Sequence, residues 1–396
     1  MKIGIDGGSL SNRRGFGRFA GQLLAALADL PTHHDFFVVI DSPSRGQVPL
    51  PSRFRVVEAP VKVAPSRAAS ARGRRSAWDM LAMGRAMAKE APDVAFFPAS
   101  YSAFPAWNYR KLVVTVHDTL ALAHPELVFP TRAGRYAWAL KEYASVSRAH
   151  RVLTVSEASR RDLISWFKID PGRVGVVSEA PAPVFRPTTP GPVSDQILGH
   201  YRIPAGSRFL LYVGGMSPHK NLPRLVEAFG KVAGGLTSTL LVLVGDHSDV
   251  FHTQVPAIRE AIARAGLEGR VLLPGFVPDA ELSHLYGRAF ALVQPSLMEG
   301  FGLPALEAMA CGTPVISSRA GSLPEVIGEG GVFFDPTEVD EIGRAIRSLL
   351  EDPDERDRLG RLALRRARQF TWANAARSLL AEFDSLESDL PKRRSA

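Results

Sequence analysis

One stretch of this chain decides its fold: Pro295-Ser-Leu-Met-Glu-Gly-Phe-Gly-Leu-Pro-Ala-Leu-Glu-Ala-Met-Ala-Cys-Gly-Thr-Pro-Val315. The apolar run Phe290-Ala-Leu-Val-Gln294 before it predicts a buried strand. Pro304 is expected at the first position of a helix, where its missing N–H costs nothing. Glu299 and Glu307 then flank a glycine-rich turn, with Glu307 in the first helical turn. A strand, a turn and a helix in this order are typical of parallel α/β folds.

The turn also predicts an anion site. The backbone amides of Phe301, Gly302, Leu303, Ala305 and Leu306 are expected to be free at the positive end of the helix dipole, where phosphates bind. The two glutamates beside them can accept hydrogen bonds from sugar hydroxyls. A phosphate next to sugar hydroxyls indicates a nucleotide sugar as the ligand.

The length and the pattern of the chain predict two domains. A chain of 396 residues exceeds the size that one hydrophobic core usually fills. Strand-like runs alternate with amphipathic helices, which predicts an α/β fold of two doubly wound Rossmann-like domains facing across a cleft. We expect a first domain over 1–183, a proline-rich linker over 184–206, a second domain over 207–371, and a final helix over 372–396 that crosses back to the first domain.

Individual elements follow from the same periodicity. In the first domain we expect strands at 2–6, 36–40, 94–97, 112–116 and 151–155, and helices near 18–30, 77–91, 131–149 and 157–166. In the second domain we expect strands at 209–213, 240–244, 270–273, 289–293 and 315–317.

The composition is that of a globular protein, with 45% hydrophobic residues. No window reaches the roughly 18 to 20 apolar residues that a spanning helix needs. The first residues, Met1-Lys-Ile-Gly-Ile-Asp6, enter a strand and lack the apolar stretch of a signal peptide. We therefore expect a cytoplasmic protein. The single Cys311 excludes an internal disulfide and is expected to be a core thiol.

The positive charge is concentrated in the first half of the chain. The net charge is +8, and residues 1–180 carry 25 Lys/Arg against 15 Asp/Glu, a net +10, which leaves −2 for the rest. The stretch Lys62–Arg75 contains five basic residues and no acid. It is either a solvated loop or a contact for a phosphate-bearing acceptor or an anionic membrane surface, at the inner face of the membrane. Nucleic acid is not expected, because no recognition motif accompanies the charge.

A second anion-binding loop is predicted at Gly214-Gly-Met-Ser-Pro-His-Lys220-Asn-Leu-Pro223, which follows a strand and opens a helix. Asn221 is expected as the N-cap, with Pro223 just inside the helix. Lys220 then projects from a helix N-terminus beside Gly214 and Gly215, where it can neutralise a diphosphate. The alternative is a solvated lysine in a turn. Two loops suited to anion binding at one edge of one sheet favour the interpretation that Lys220 neutralises a diphosphate.

The pattern Gly15-Phe-Gly17-Arg-Phe-Ala20, with Asp41 about twenty residues on, matches the spacing of a dinucleotide-binding fingerprint. However, an additional loop over 7–14 separates these glycines from the first strand, which argues against a dehydrogenase. We expect a flexible loop whose glycines let the backbone approach a ligand. Arg18 is then available for an anionic group.

Metal and cofactor chemistry find little support in the sequence. His117 follows a strand that ends at the expected ligand crevice. Six other histidines are expected to be structural or exposed: His33, His34, His200, His247, His252 and His284. Asp352-Pro-Asp354 is expected to cap a helix. There is no P-loop, zinc spacing or nucleophile elbow. We therefore expect no metal and no cofactor.

With these residues assembled, the chain resembles the retaining glycosyltransferase family 4, whose members have the two-domain GT-B fold. The resemblance covers essentially the whole chain. Its motifs, each as it stands here, are Gly15-Phe-Gly-Arg-Phe19, Val116-His-Asp118, Leu153-Thr-Val-Ser-Glu157, Tyr212-Val-Gly-Gly215, His219-Lys-Asn-Leu222, Gly275-Phe-Val-Pro278, the E-x7-E from Glu299 to Glu307, Gly321-Ser-Leu-Pro-Glu325 and Phe370-Thr-Trp372.

The resemblance implies a role for each site residue. Glu307 would bind the ribose hydroxyls and Glu299 the transferred sugar, while Lys220 and the amides of Phe301 to Leu303 would hold the diphosphate. The residues that would meet the base are Phe276 and Val277, and those that would line the reaction centre are His117 and Gly17. One position departs from the family: many members carry an arginine where this chain has Gly215. Diphosphate neutralisation would then rest on Lys220, with help from Arg18.

The resemblance implies a retaining, metal-independent enzyme that moves a hexose from a nucleotide diphosphate sugar to an acceptor hydroxyl, lipid-linked acceptors included. Similarity to mannosyl- and rhamnosyltransferases makes GDP-mannose the leading donor. Two alternatives stay open. One is a non-catalytic sugar- or nucleotide-binding protein on a degenerate scaffold, and the other is a GT-B nucleotide-sugar epimerase.

Overall fold

The computed structural model describes residues 1–12, 15–63, 76–129, 131–234, 239–246 and 253–390. The chain forms two compact units. Unit 1 contains Met1–Thr119, Thr131–Glu179 and the chain from Thr371 onward, and unit 2 contains Leu120–Pro130 and Ala180–Phe370. The sequence placed the boundary at 183 and kept 120–130 in the first domain, so both assignments differ from the observed units.

Unit 1 is built on a sheet of seven parallel strands. They are β1 (Lys2–Asp6), β2 (Asp35–Asp41), β3 (Arg55–Ala59), β4 (Val94–Phe97), β5 (Lys111–Thr115), β6 (Arg151–Thr154) and β7 (Val174–Val176), in the spatial order β3-β2-β1-β4-β5-β6-β7. The central strands are apolar and buried, as expected of a parallel sheet covered on both faces. The sequence missed β3 and β7, because β3 is a largely exposed edge strand and β7 has three residues.

Helices connect the strands of unit 1. They are α1 (Gly15–Ala28), α2 (Ala77–Lys89), α4 (Arg132–Arg148) and α5 (Glu157–Phe167), while the short α3 (Leu120–Ala123) belongs to unit 2. The glycines Gly15 and Gly17, expected in a flexible loop, instead lie in the first turn of α1. The chain before them still makes turns over residues 8–11, so an additional loop does separate α1 from β1.

Unit 2 repeats the design with six parallel strands. They are β8 (Arg208–Val213), β9 (Thr239–Val244), β10 (Val271–Gly275), β11 (Ala291–Gln294), β12 (Val315–Ser318) and β13 (Gly331–Phe334), in the order β10-β9-β8-β11-β12-β13. The helices are α6 (Pro192–His200), α7 (Leu222–Ala233), α8 (Val255–Arg264), α9 (Asp279–Arg288), α10 (Leu303–Ala310), α11 (Leu323–Ile327), α12 (Val339–Glu351) and α13 (Pro353–Ala367). Both sheets therefore have the strand order of the doubly wound fold.

The stretch 184–206, expected to be a linker, contains α6 and belongs to unit 2. Pro192 fits the first turn of α6, and Leu198 is buried. Polar contacts fix α6 to α9: Arg288 pairs with Asp195 at 2.8 Å, and Ser194 Oγ lies 2.9 Å from His284 Nδ1. The prolines of this stretch therefore end and begin packed segments of unit 2.

The last helix, α14 (Trp372–Ser388), packs in unit 1. Thr371 caps it by accepting a hydrogen bond from the Asn374 amide at 3.1 Å. Phe383 is fully buried, and its ring meets that of Phe96 at 5.6 Å between centroids. Glu382 forms an ion pair with Arg151 at the start of β6. The final helix is therefore a structural part of the first sheet's cover.

We expect Phe383→Ala to destabilise unit 1 by about 3–5 kcal/mol, because the truncation leaves a cavity against the sheet. The matched control is Leu140→Ala, since Leu140 lies in the same unit but is 73% exposed. Equilibrium urea unfolding measures both. Equal losses of unfolding free energy in the two variants would contradict the packing of α14 described above.

Candidate functional site

The central strands of unit 2 bring two loops to one edge of the sheet. Lys220 follows β8, and Glu299 follows β11, the strand that pairs with β8. From β8 the chain continues to β9 on one side, and from β11 to β12 on the other. A ligand crevice forms at such a switch in strand order, beyond the carboxyl ends of the strands. The two predicted anion loops therefore flank the expected binding position of this fold.

Lys220 and Glu299 form an ion pair in this crevice. Lys220 Nζ lies 2.6 Å from Glu299 Oε1, and the two side chains are 16% and 11% exposed. The same oxygen accepts hydrogen bonds from Gln294 Nε2 at 2.8 Å and Ser296 Oγ at 2.6 Å. Burial by itself would raise the pKa of Glu299, but the charge of Lys220 and the hydrogen bonds from Lys220 and Ser296 outweigh it, so the pKa is lowered. The carboxylate is therefore charged and fixed in orientation.

Sequence reasoning missed Gln294 and Ser296, which orient Glu299. The available signal was a polar residue, Gln294, at the end of an apolar strand and directly before the turn. In parallel α/β folds this position faces the ligand crevice.

The backbone of the turn supplies three amides. Gly302 has φ +94°, a conformation that favours glycine, and caps α10. Within the described part of the chain, the amides of Phe301, Gly302 and Leu303 have no hydrogen-bond partner. The amides of Ala305 and Leu306, also expected to be free, instead donate to the Gly302 carbonyl at 3.0 and 3.3 Å. The predicted anion cradle is therefore smaller than expected, because the helix begins at once and uses these two amides itself.

Glu307 lies deeper than the sequence suggested. Because α10 begins at Leu303, Pro304 occupies the second helical position and Glu307 the fifth, one position beyond the expected place. Its Oε2 accepts a hydrogen bond from the hydroxyl of Tyr286 at 3.0 Å, and the residue is 1% exposed. Glu299 is thus the more accessible of the two carboxylates.

The two loops are tied to each other. Asn221 adopts φ +61° and does not cap α7 through its side chain, contrary to expectation. Its Nδ2 instead donates to the carbonyls of Pro295 at 3.1 Å and Pro336 at 2.8 Å. The amide of Leu297 donates to the His219 carbonyl at 2.8 Å. These bonds hold the loop of Lys220 against the turn of Glu299.

His219 contributes a neutral ring to this region. Burial lowers its pKa to about 3, and the charge of Lys220 acts in the same direction. Around neutral pH, Lys220 therefore carries the positive charge of this loop.

The remaining predicted donor-site residues lie at neighbouring strand ends. Phe276, after β10, is 67% exposed, whereas Val277 is buried and can offer a ligand only its backbone. Gly215 accepts a hydrogen bond from the Tyr212 hydroxyl at 2.7 Å. A Cβ on Gly245 would lie 2.1 Å from the Gly214 carbonyl, so these loops approach at backbone distance.

In unit 1, Gly17 is a packing residue. A Cβ at this position would lie 1.8 Å from the Asn12 carbonyl and 2.6 Å from the Ser9 carbonyl. Glycine therefore lets α1 approach the loop after β1, and Gly17 lies in a helix where a flexible loop was expected. Arg18, the next residue of α1, is half-buried.

His117 follows β5, and both polar and aromatic groups contact its ring. Its Nε2 lies 3.1 Å from the Pro98 carbonyl, and its Nδ1 lies 3.5 Å from a carboxylate oxygen of Glu179. The rings of Phe16 and Phe19 each stand 4.8 Å from the imidazole, edge to face. The ring therefore has a fixed orientation, which suits a positioning group.

Glu142 is a buried acid that sequence reasoning missed. It lies on the buried face of α4 together with Val146, one turn away. This helical spacing from an apolar residue was the sequence signal that Glu142 is buried. Its Oε1 accepts a hydrogen bond from Ser100 Oγ at 2.7 Å. Burial raises the pKa of Glu142 above its ordinary value.

Two other predictions are confirmed. Asp352 caps α13 by accepting a hydrogen bond from the Glu355 amide at 2.9 Å, so the D-x-D pattern is structural. Cys311 is buried, and burial raises its pKa to about 12, as expected of a core thiol.

The basic stretch Lys62–Arg75 lies mostly outside the described residues, which include only Lys62 and Val63 of it. The prediction of a membrane or acceptor contact there is therefore untested. Among the described residues, none of the helices combines the length and the hydrophobicity that crossing a bilayer requires.

Comparison with known proteins identifies the family. The family described as Glycosyltransferase Family 4 matches residues 13–180, and the one described as Glycosyl transferases group 1 matches residues 194–366. O-antigen chain mannosyltransferase B of Escherichia coli is 32% identical over 265 residues, which cover 67% of this chain and 68% of the relative. Further mannosyltransferase relatives from E. coli are longer, and the chain spans 36% to 38% of their length.

Solved structures share the fold. Sucrose-phosphate synthase from Thermosynechococcus elongatus matches with a TM-score of 0.77 at 21% identity, over 98% of this chain and 100% of that chain. Anabaena HepE in complex with UDP-glucose matches with a TM-score of 0.69 at 19% identity, over 97% and 100%. The chain therefore belongs to the group 1 and family 4 glycosyltransferases, and it is a glycosyltransferase with the GT-B fold that its sequence predicted.

Proposed function

We propose that this protein is a retaining hexosyltransferase that moves mannose from GDP-mannose to an acceptor hydroxyl. The observation that carries the proposal is the Lys220–Glu299 ion pair at the switch point of unit 2, next to three amides that have no partner in the described part of the chain. A cation, a fixed carboxylate and backbone donors are the groups that a diphosphate and a sugar require. The mannosyltransferase relatives support mannose as the sugar.

In this proposal the diphosphate lies on the amides of Phe301, Gly302 and Leu303, with Lys220 as the cation. As the bond to the sugar breaks, negative charge grows on the leaving diphosphate, and prearranged donors stabilise it. Glu299 Oε1 already accepts three hydrogen bonds, whereas Oε2 has no partner among the described residues. We assign Oε2 to a hydroxyl of the transferred sugar.

The nucleoside would lie beside these groups. Phe276 presents an exposed ring that can stack on a base, and the backbone of Val277 can form hydrogen bonds with the polar edge of that base. Glu307 is assigned to the ribose hydroxyls. Because Glu307 is buried against Tyr286, ribose binding would exchange or extend this hydrogen bond. UDP-glucose in the HepE complex supports a nucleotide sugar as the class of donor.

The remaining site residues keep the roles that the family resemblance implies. His117 would orient the transferred sugar, and Arg18 would assist with an anionic group. With retention, the acceptor attacks from the face that the diphosphate leaves, and a phosphate oxygen takes the acceptor proton, so no protein base is required. We also propose that transfer needs no added divalent ion; rates unchanged by Mg²⁺ or Mn²⁺ are expected.

Two other functions make different predictions. A binding protein on a degenerate scaffold would bind GDP-mannose without turnover, and an epimerase would isomerise the sugar without an acceptor. Acceptor-dependent release of GDP, with the sugar recovered on the acceptor in the donor's anomeric configuration, distinguishes the proposed transferase from both.

We expect Lys220→Met to lower kcat/KM by about 100-fold or more, because it removes the cation that stabilises the leaving diphosphate. The control is Lys231→Met, an exposed lysine of the same unit that pairs with Asp340. Lys220→Met also leaves the Glu299 carboxylate without its cation, so the double variant Lys220→Met/Glu299→Gln should recover stability but not activity. Full activity in folded Lys220→Met would contradict the diphosphate assignment.

A lipid-linked acceptor is the finer part of the proposal, supported by the surface of α4. This helix presents three exposed side chains at helical spacing: Tyr136 (70% exposed), Leu140 (73%) and Tyr143 (45%). Arg132 lies one turn before Tyr136. An apolar pocket of about 330 Å³ lies beside this helix, with Arg148 in its wall. Exposed aromatic residues with arginines are typical of surfaces that bind anionic membranes.

We therefore expect the protein to float with vesicles of 30% phosphatidylserine, and Tyr136→Ser/Leu140→Ser to reduce the bound fraction at least threefold. These vesicles have a negatively charged surface, as the cytoplasmic leaflet does. Val193→Ser serves as the control, because Val193 is 63% exposed on α6 of unit 2. Equal flotation of both variants and the wild type would exclude this surface as the membrane contact.

A further inference from the structure

Four potential metal ligands converge in unit 1, away from every residue assigned above. His33 and His34 precede β2, and Asp384 and Glu387 lie one turn apart near the end of α14. His34 Nε2 is 3.0 Å from Asp384 Oδ1, and His33 Nε2 is 2.6 Å from Glu387 Oε2. One ligand atom from each of the four residues falls within 4.8 Å of the others. Within the described ranges, no other group of three or more such side chains converges in this way.

The donor set matches one metal in particular. Two imidazole nitrogens and two carboxylate oxygens at about 2.0–2.2 Å form a tetrahedral zinc site, in which neighbouring ligand atoms stand about 3.3–3.6 Å apart. The two His–carboxylate distances, 3.0 and 2.6 Å, are shorter than that spacing, so each pair must separate by about 0.3–1.0 Å to admit the ion. Calcium and magnesium prefer sites made of oxygen ligands alone, so two histidines disfavour both ions.

His34 provides a second, independent observation. Its side chain is fully buried, yet Nε2 makes no hydrogen bond of acceptable geometry, although Asp384 lies nearby. A buried polar atom without a partner is costly and rare. A metal ion bound by both His34 and Asp384 would give this nitrogen a partner.

The amino-terminal amine does not occupy the same atoms. Met1 N lies 3.3 Å from His34 Nδ1 and 3.2 Å from Glu387 Oε1. The contacts with Asp384 and His33 use different atoms, Nε2 of His34 and Oε2 of Glu387. The amine therefore borders the cluster and leaves its ligand atoms in place.

We propose that His33, His34, Asp384 and Glu387 bind one zinc ion that fastens the last helix to the start of β2. With four protein ligands the site is closed, so the ion is structural and takes no part in sugar transfer. The proposal is independent of the proposed donor and acceptor.

The test uses full-length protein with an unmodified amino terminus, stripped of metal by a chelator and then titrated with zinc chloride against a fluorescent zinc indicator. We expect one zinc per chain and a higher melting temperature with zinc than without. His33→Gln and Asp384→Asn should each weaken zinc binding by about 10-fold or more and abolish the zinc-dependent rise in melting temperature. Both side chains are more than half exposed, so the variants should fold.

The matched control is His124→Gln/Glu126→Gln, which removes an exposed His–Glu pair at 3.4 Å outside the cluster. It should bind zinc as the wild type does. Less than half an equivalent of zinc in the wild type, equal binding in all variants, or a preference for Mg²⁺ over zinc would each overturn the proposal. In that case the cluster is a set of His–carboxylate ion pairs.

Discussion

The ion pair between Lys220 and Glu299 is the contact on which the proposed donor site depends. It joins the loops after the two central strands of unit 2, and both partners are largely removed from water. Removing one partner of such a pair leaves an uncompensated charge, which usually costs more than the pair itself contributes. The surrounding structure is arranged to hold it.

Several neighbours fix Glu299 from its backbone as well as its side chain. The Ser322 amide donates to the Glu299 carbonyl at 3.1 Å. A Cβ on Gly321 would lie 2.3 Å from that carbonyl oxygen, so the loop after β12 can approach only with glycine there. The carboxylate is therefore oriented by β8, β11 and β12 together. Such prearrangement is what lets charged groups act on a transition state without first reorganising.

Much of this could be predicted from the sequence, because it depends on local patterns. Apolar runs identified the central strands, and the spacing of Glu299, Gly302 and Lys220 identified the loops between strands and helices. Contacts made over long sequence distances could not be predicted. Asparagine is a residue type favoured at N-caps, but the side-chain amide of Asn221 donates hydrogen bonds to two carbonyls of loops distant in sequence. The sequence predicts Glu307 at the fourth helical position, and the structure has it at the fifth, because α10 begins one residue earlier than expected. That one residue decides which amides stay free and which way the side chain points.

The remaining differences have the same origin. The glycines of α1 and the helix within 184–206 were assigned from composition, as a loop and a linker. Gly17 is needed because another backbone segment passes close to it. The stretch 184–206 contains a packed helix because Asp195 and Ser194 find partners on α9. In each case tertiary contacts overrode the local preference, as they commonly do.

The most direct test is a crystal structure of the protein with GDP-mannose. Phosphate oxygens should lie within about 3.2 Å of the amides of Phe301, Gly302 and Leu303 and of Lys220 Nζ. Glu299 Oε2 should accept a hydrogen bond from a mannose hydroxyl. A diphosphate bound elsewhere, with these amides and Lys220 free of it, would contradict the account.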